Sequence, residues 1–142
     1  MNKIDIKPWD YDRMLTRSFS VGQLVCDPVA YQYKILEQYI EREHILQNLE
    51  FFCRSFLQPL QDAFPYPIVV LSGYRCQHTN RMRGGGGNSL HLIGFAADIV
   101  SYGHLPYLIE TVKQMEFHQL KIRPGYIHVS KKEFWNECRE YR

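Results

Sequence analysis

The longest coherent pattern in the chain runs from Glu43 to Phe64, where Ile45, Leu49, Phe52, Cys53, Phe56, Leu57 and Leu60 recur at the spacing of one helix face. This stripe predicts the main core helix, with Pro59 forcing a kink or an early end because it removes a backbone donor. Upstream, Val29, Tyr33, Leu36 and Ile40 repeat at helical spacing behind Asp27-Pro28. Aspartate can cap free amides and proline tolerates the first helical position, so a helix is expected over about 28–41. Pro65 and Pro67 stop the long helix and launch Ile68-Val69-Val70-Leu71, a continuous apolar run that reads as a buried strand.

After Arg75 the chain becomes polar and ends in Gly84 to Gly87, read as a flexible loop over a groove. The Lys-Ser/Thr that completes a phosphate-binding loop is absent. Phe95 to Val100 is an expected strand, followed by a turn at Tyr102-Gly103 and a helix from about Pro106 to Met115. Two further strands, Phe117 to Ile122 and Tyr126 to Ser130, are broken by the turn dipeptide Pro124-Gly125. Residues 1–18 lack periodicity and read as a lead-in that wraps the domain. Together these elements predict one α+β domain over 1–142, with N-terminal helices packed on a small, mainly antiparallel sheet and a basic tail over 131–142.

The chemistry of the chain concentrates in the sheet half. Ser89-Leu90-His91-Leu92-Ile93-Gly94-Phe95-Ala96-Ala97-Asp98 sets a histidine and an aspartate seven positions apart across a glycine. His128 follows in an apolar, β-branched run that would deliver its imidazole from inside the fold. Two imidazoles and one carboxylate suit a catalytic zinc, which keeps its fourth position for water. Of the other histidines, His44, His78 and His104 have no partner that the sequence identifies and read as surface residues.

These motifs resemble the zinc D-Ala-D-Ala carboxypeptidase family of peptidoglycan peptidases, whose zinc site recurs in the hedgehog signalling domain. The resemblance rests on Ser-x-His-x-x-Gly-x-Ala-x-Asp, the later aromatic-x-His-Val run and the upstream Ser72-Gly73-Tyr74-Arg75. Phe19 to Leu24, Leu49 to Phe64 and Phe117-His118-Gln119-Leu120 resemble segments of the small phage-type members, so the likeness covers residues 19–130. It implies a zinc metallopeptidase that cuts stem peptides or cross-links of bacterial peptidoglycan. His91, Asp98 and His128 would be the metal ligands.

Arg75, always charged and rigidly forked, would hold an oxyanion or a substrate carboxylate, against the blander reading of a structural ion pair. Ser89 would bond substrate or shape its turn, and Gln119 would contact substrate. Many members carry an acid three positions before the last zinc histidine, where it serves as general base; here that position is Gly125. His118 becomes the first candidate base, since an imidazole can exchange a proton near neutral pH, and Glu116 the second. The missing acid also motivates an alternative, a zinc-containing wall-binding or structural module without catalysis.

Composition narrows the remaining choices. A net charge of +2 is too small to argue for nucleic acid, although Arg75, Arg81 and Arg83 cluster, as do Lys131, Lys132, Arg139 and Arg142. Such clusters either favour an anionic surface such as a cell wall or are solvated faces. The four cysteines lack any Cys-x-x-Cys pair, so neither a disulfide framework nor a cysteine-bound zinc is expected. Cys53 lies on the apolar helix face, and Cys76 adjoins the arginine segment. The amino terminus reads as lacking a signal region and no apolar run reaches spanning length, so no membrane partner is expected. The expectation is a chain made in the cytoplasm, phage-encoded, reaching the wall after release or from a virion. A monomer is favoured.

Overall fold

The computed structural model describes residues 6–132 of the 142. Trp9 is buried edge-on against Tyr74 and donates from its indole nitrogen to the Gln38 carbonyl at 3.0 Å, beside a bridge between Pro8 and Ile40.

The helical half opens with α1 (Val21–Val25), which no apolar repeat announces. Its start is a capping box: the Gln23 amide donates to Ser20 Oγ and the Ser20 amide to Gln23 Oε1. Next, α2 (Pro28–Gln32) begins where Asp27-Pro28 directs it, with Asp27 accepting from the amides of Val29 and Ala30. The single helix expected over 28–41 is not formed. Lys34 adopts a left-handed φ of 54°, and a separate 3-10 turn follows at Leu36–Tyr39. Tyr33 and Leu36 are exposed, so the repeat that suggested a longer helix has no core to pack against. Gln38 is buried instead, donating to the carbonyls of Val25 and Tyr74 and accepting from the Cys76 amide.

The main core helix is present as α3 (Glu43–Phe52) and α4 (Gln58–Ala63), joined by one π-type turn at Cys53–Leu57. The helix does not end at Pro59. Widening the preceding turn accommodates a ring that would otherwise meet the Ser55 carbonyl, and that carbonyl accepts from Lys131 Nζ at 3.4 Å. Leu49, Phe52, Cys53, Phe56, Leu57 and Leu60 are fully buried, and burial pushes the Cys53 thiol pKa well up. Cys26, Cys53 and Cys76 are free thiols, while Cys138 lies outside the described residues, as do Arg139, Arg142 and most of the basic tail.

The sheet half contains β1 (Val69–Ser72), β2 (Ala96–Val100), β3 (Gln119–Arg123) and β4 (Tyr126–Ser130) in the order β1-β2-β4-β3, every pair antiparallel. As an edge strand, β1 leaves Val69, Val70 and Leu71 only half-buried, which corrects the expectation of a buried strand there. Between β1 and β2 the stretch expected to be irregular contains a short helix, α5 (Gln77–Met82), with Thr79 and Asn80 buried. Helix α6 (Leu105–Lys113) links β2 to β3 and packs Leu108 and Val112 inward. No helix among the described residues is long and apolar enough to cross a membrane.

The two faces of the sheet divide the labour. Alternation along β2 and β4 sends Ala97, Ile99, Ile127 and Val129 into the hydrophobic core with the helices. The same alternation turns Asp98 and His128 to the opposite face. Register then lines up one row across all four strands: Ser72 opposite Asp98, Asp98 opposite His128, and His128 opposite Lys121.

Candidate metal centre

The third donor joins this row from a loop. Ser89 Oγ accepts from the His91 amide at 3.2 Å and starts a 3-10 turn at Leu90–Ile93, which Gly94 closes with a φ of 82° suited to glycine. The turn drives His91 inward until it is 2% exposed, and its Nδ1–H donates to the Gly73 carbonyl at 2.7 Å. That bond leaves Nε2 with its lone pair facing Asp98. Gly73 supplies the carbonyl because β1 is pressed against α1: a Cβ there would lie 2.4 Å from the Leu24 carbonyl oxygen.

Three donor atoms therefore meet at one point. His91 Nε2 and His128 Nδ1 are 3.2 Å apart, and each faces Asp98 Oδ1, at 3.2 Å and 3.0 Å respectively. His91, Asp98 and His128 are a group able to hold a metal ion. The outer nitrogen of His128 is also occupied, Nε2 lying 3.4 Å from Gln119 Oε1, so each imidazole is fixed with its inner nitrogen free to ligate. Burial lowers the His91 pKa, with the neighbouring Asp98 carboxylate opposing it only in part, which keeps this imidazole neutral and able to bind metal. Burial alone would raise the Asp98 pKa. The imidazoles of His128 and His91 packed at Oδ1 and the charge of Arg75 at Oδ2 outweigh it and hold the carboxyl well below its ordinary value.

Behind the donors runs a continuous polar chain that sequence reasoning did not find. Arg75, 7% exposed, donates from Nη2 to Asp98 Oδ2 at 2.8 Å, from Nε to Ser72 Oγ at 2.9 Å and from Nη1 to Asn80 Oδ1 at 3.4 Å. Ser72 in turn donates to Asp27 Oδ2 at 2.8 Å, and Asp27 accepts from both Nε and Nη2 of Arg83. One carboxylate oxygen of Asp98 is thus tied to arginine while the other faces the two histidines.

A cavity of about 1020 Å³ opens over the donors, walled by the Gly84–Gly87 loop, Ser89, His118, Gln119 and Tyr126. It contains Arg75, Ser89, His118 and Gln119 along with the three donors. His118 is exposed at the cavity wall, its amide donating to the Ser130 carbonyl at 2.7 Å. Glu116 and Gly125 are outside the lining; Gly125 sits in the turn between β3 and β4 with a φ of 82°. His44, His78 and His104 are also outside it, and His104 stacks on Tyr66 at 3.5 Å.

Gln119 offers a direct check on the imidazole geometry. Replacing it by leucine is expected to weaken metal binding about tenfold, the lower end of what loss of a ligand's outer partner costs. Competition with a chromophoric chelator measures this, and an unchanged affinity would show that Gln119 does not orient His128. A family model described as Peptidase M15 matches residues 24–130, a span that includes every residue of the centre. No curated protein matches the sequence.

Proposed function

Since the chain belongs to the peptidase M15 family, we propose that it is a zinc-dependent peptidase hydrolysing peptide bonds in the stem peptides or cross-links of bacterial peptidoglycan. The observation that carries this reading is the triangle formed by His91 Nε2, Asp98 Oδ1 and His128 Nδ1, with sides of 3.0–3.2 Å. Ligands about 2.0–2.1 Å from a tetrahedral zinc stand about 3.3 Å apart, close to these separations. Two imidazoles and one carboxylate also suit zinc better than calcium or magnesium, which prefer all-oxygen shells.

Zinc held by these three side chains would polarise a peptide carbonyl and bring the pKa of a water to about 7. The protein's own groups do the remaining work. Arg75 is fixed at the cavity wall by Ser72, Asn80 and Asp98, so its charge is in place before negative charge develops on the carbonyl oxygen. His118 is the group in this reading that accepts a proton during attack and returns it to the leaving amine. Ser89, at the cavity edge, orients substrate in addition to capping its turn.

A second reading is favoured by one specific feature. Among the described residues lining the cavity, Asp98 is the only carboxylate, and Gly125 stands where the resemblance expects an acid. A zinc-containing wall-binding module without catalysis would have this composition. Mass spectrometry of purified muropeptides, incubated with zinc-loaded protein and with a chelated sample, separates the two. The peptidase produces a new mass that the chelator abolishes; bound zinc with every muropeptide unchanged leaves the binding module.

A further inference from the structure

The metal centre leaves the four consecutive glycines of the cavity wall unexplained, and they are of three kinds. Gly84 adopts a left-handed φ of 74°, which suits glycine. Gly86 and Gly87 stand in open space, where an added Cβ would meet nothing within 4 Å. Gly85 differs from both: its Cβ would lie 2.0 Å from Asn80 Oδ1 and 2.7 Å from Asn80 Cγ. A side chain at position 85 is therefore excluded by Asn80, which is itself only 2% exposed.

Both halves of the Asn80 amide are engaged. Nδ2 donates to the Gly86 carbonyl at 3.0 Å, and Oδ1 accepts from Arg75 Nη1 at 3.4 Å. A carbonyl only accepts and a guanidinium only donates, so a single orientation of the amide satisfies both. Backbone bonds reinforce the contact: the Asn80 carbonyl accepts from the Gly85 amide at 2.8 Å, and the Gly86 carbonyl also accepts from the Ser89 amide at 3.1 Å. Ser89 in turn starts the 3-10 turn that aims His91. On the other side, Nη1 is the guanidinium nitrogen that neither Ser72 nor Asp98 engages. One buried amide thus ties the glycine wall to the remaining nitrogen of the arginine fork.

We propose that Asn80 is a positioning residue that sets the glycine wall and the Arg75 guanidinium as one unit. Gly85 is required because only glycine lets the wall lie against that amide. The consequence for turnover rests on the peptidase reading. Nη1 carries two hydrogens, and the bond of one to Asn80 directs the other, which is then in place for negative charge developing on a substrate carbonyl.

Asn80→Ala, Gly85→Ala and the double variant, each in the full chain, test this clamp. Asn80→Ala should lower kcat for wall-peptide cleavage about ten- to a hundredfold, as a misplaced catalytic group does, with KM changed less than about threefold. Gly85→Ala should act in the same direction, because its methyl group displaces the Asn80 amide. In the double variant that methyl group finds space, so the two losses should not multiply and kcat should match Asn80→Ala within about twofold.

Hydrogen exchange reads the clamp without turnover. The Ser89 amide, whose acceptor on Gly86 is held by Asn80, should exchange about tenfold faster in Asn80→Ala and in Gly85→Ala, and at the wild-type rate in Gly87→Ala. Gly85→Ala removes no hydrogen-bonding group, so it carries both readouts even if Asn80→Ala does not fold. A wild-type protein that cuts no wall peptide while exchange follows this pattern overturns the peptidase reading and keeps the clamp. Unchanged exchange in Asn80→Ala, or a Gly85→Ala effect no larger than that of Gly87→Ala, overturns the clamp. So do losses that multiply in the double variant, or faster exchange with kcat undiminished, which would remove the link to Arg75.

Discussion

Replacing His91 by alanine should yield a protein that no longer holds a stoichiometric metal ion and cleaves wall peptides at least about a thousandfold more slowly. Losing only an outer partner of a ligand costs about 10–100-fold, so losing a ligand costs more. His91 is the donor most tightly bound to the scaffold: it is 2% exposed, its Nδ1–H is held by Gly73, and its Nε2 faces both other donors. Thermal stability gives a second readout that does not depend on turnover. At free zinc about a thousand times its Kd, binding stabilises the native state by about 4.1 kcal/mol. For a domain of this size each kcal/mol moves Tm by roughly 2–4 °C, so zinc should raise the wild-type Tm by roughly 8–16 °C. The variant's Tm should be insensitive to zinc and to chelator. Its metal-free Tm should fall only modestly, because the main new cost is the Gly73 carbonyl left without its donor, about 1–3 kcal/mol. A variant that retained one equivalent of metal, or chelator-sensitive cleavage, would refute the ligand assignment.

The contrast between His91 and the groups behind it shows which parts of the centre the sequence could express. The three donors were legible because their types and order carry the chemistry directly, and the neighbouring glycine marks the turn that aims His91. The long helix was legible because its stripe meets a core along its whole length, and β2, β3 and β4 because their runs alternate between two differently occupied faces. The helix over 28–41 failed because periodicity reports only that apolar residues could align, and Tyr33 and Leu36 find nothing to cover them. Helices α1 and α5 are too short for any period to register. Gln119 reads in the sequence as a substrate contact; the fold sets its Oε1 beside His128 Nε2, through a cross-strand proximity that no local pattern encodes. The same holds for Asp27, which lies 71 residues before Asp98 and reaches it only through Ser72 and Arg75.

Asp27 is consequently where a substitution far from the donors should have its largest effect. Asp27 is 2% exposed, and its carboxylate serves three elements at once. It caps α2 at the amides of Val29 and Ala30, accepts from Ser72 on β1, and pairs with Arg83 beyond α5. Asp27→Ala removes a cap worth about 1 kcal/mol. It also breaks an ion pair whose loss costs about 3–5 kcal/mol when both partners are buried. The Arg83 side chain is 22% exposed and can turn toward water, so the combined loss should be about 4 kcal/mol. With a urea slope of about 1–3 kcal/mol/M, the unfolding midpoint should drop by roughly 2 M.

The effect should extend to the metal centre. Without Asp27, Ser72 Oγ is free to rotate away from Arg75 Nε, and the guanidinium that ties Asp98 Oδ2 loses one of its supports. Zinc affinity should then fall about tenfold, as for other groups acting through a ligand's outer partner. Leu108→Ala provides the comparison. Leu108 is fully buried on α6, away from the polar chain, and its truncation costs about 2–5 kcal/mol. It should lower stability to a similar degree while leaving zinc affinity in the folded protein unchanged. Asp27→Asn keeps the cap but not the charge, so it should retain part of the stability and still weaken zinc. If Asp27→Ala and Leu108→Ala changed zinc affinity equally, the relay from Asp27 to Asp98 would be only general support for the fold. A loss confined to the Asp27 variants would establish that the metal centre is positioned from the far end of this chain of hydrogen bonds.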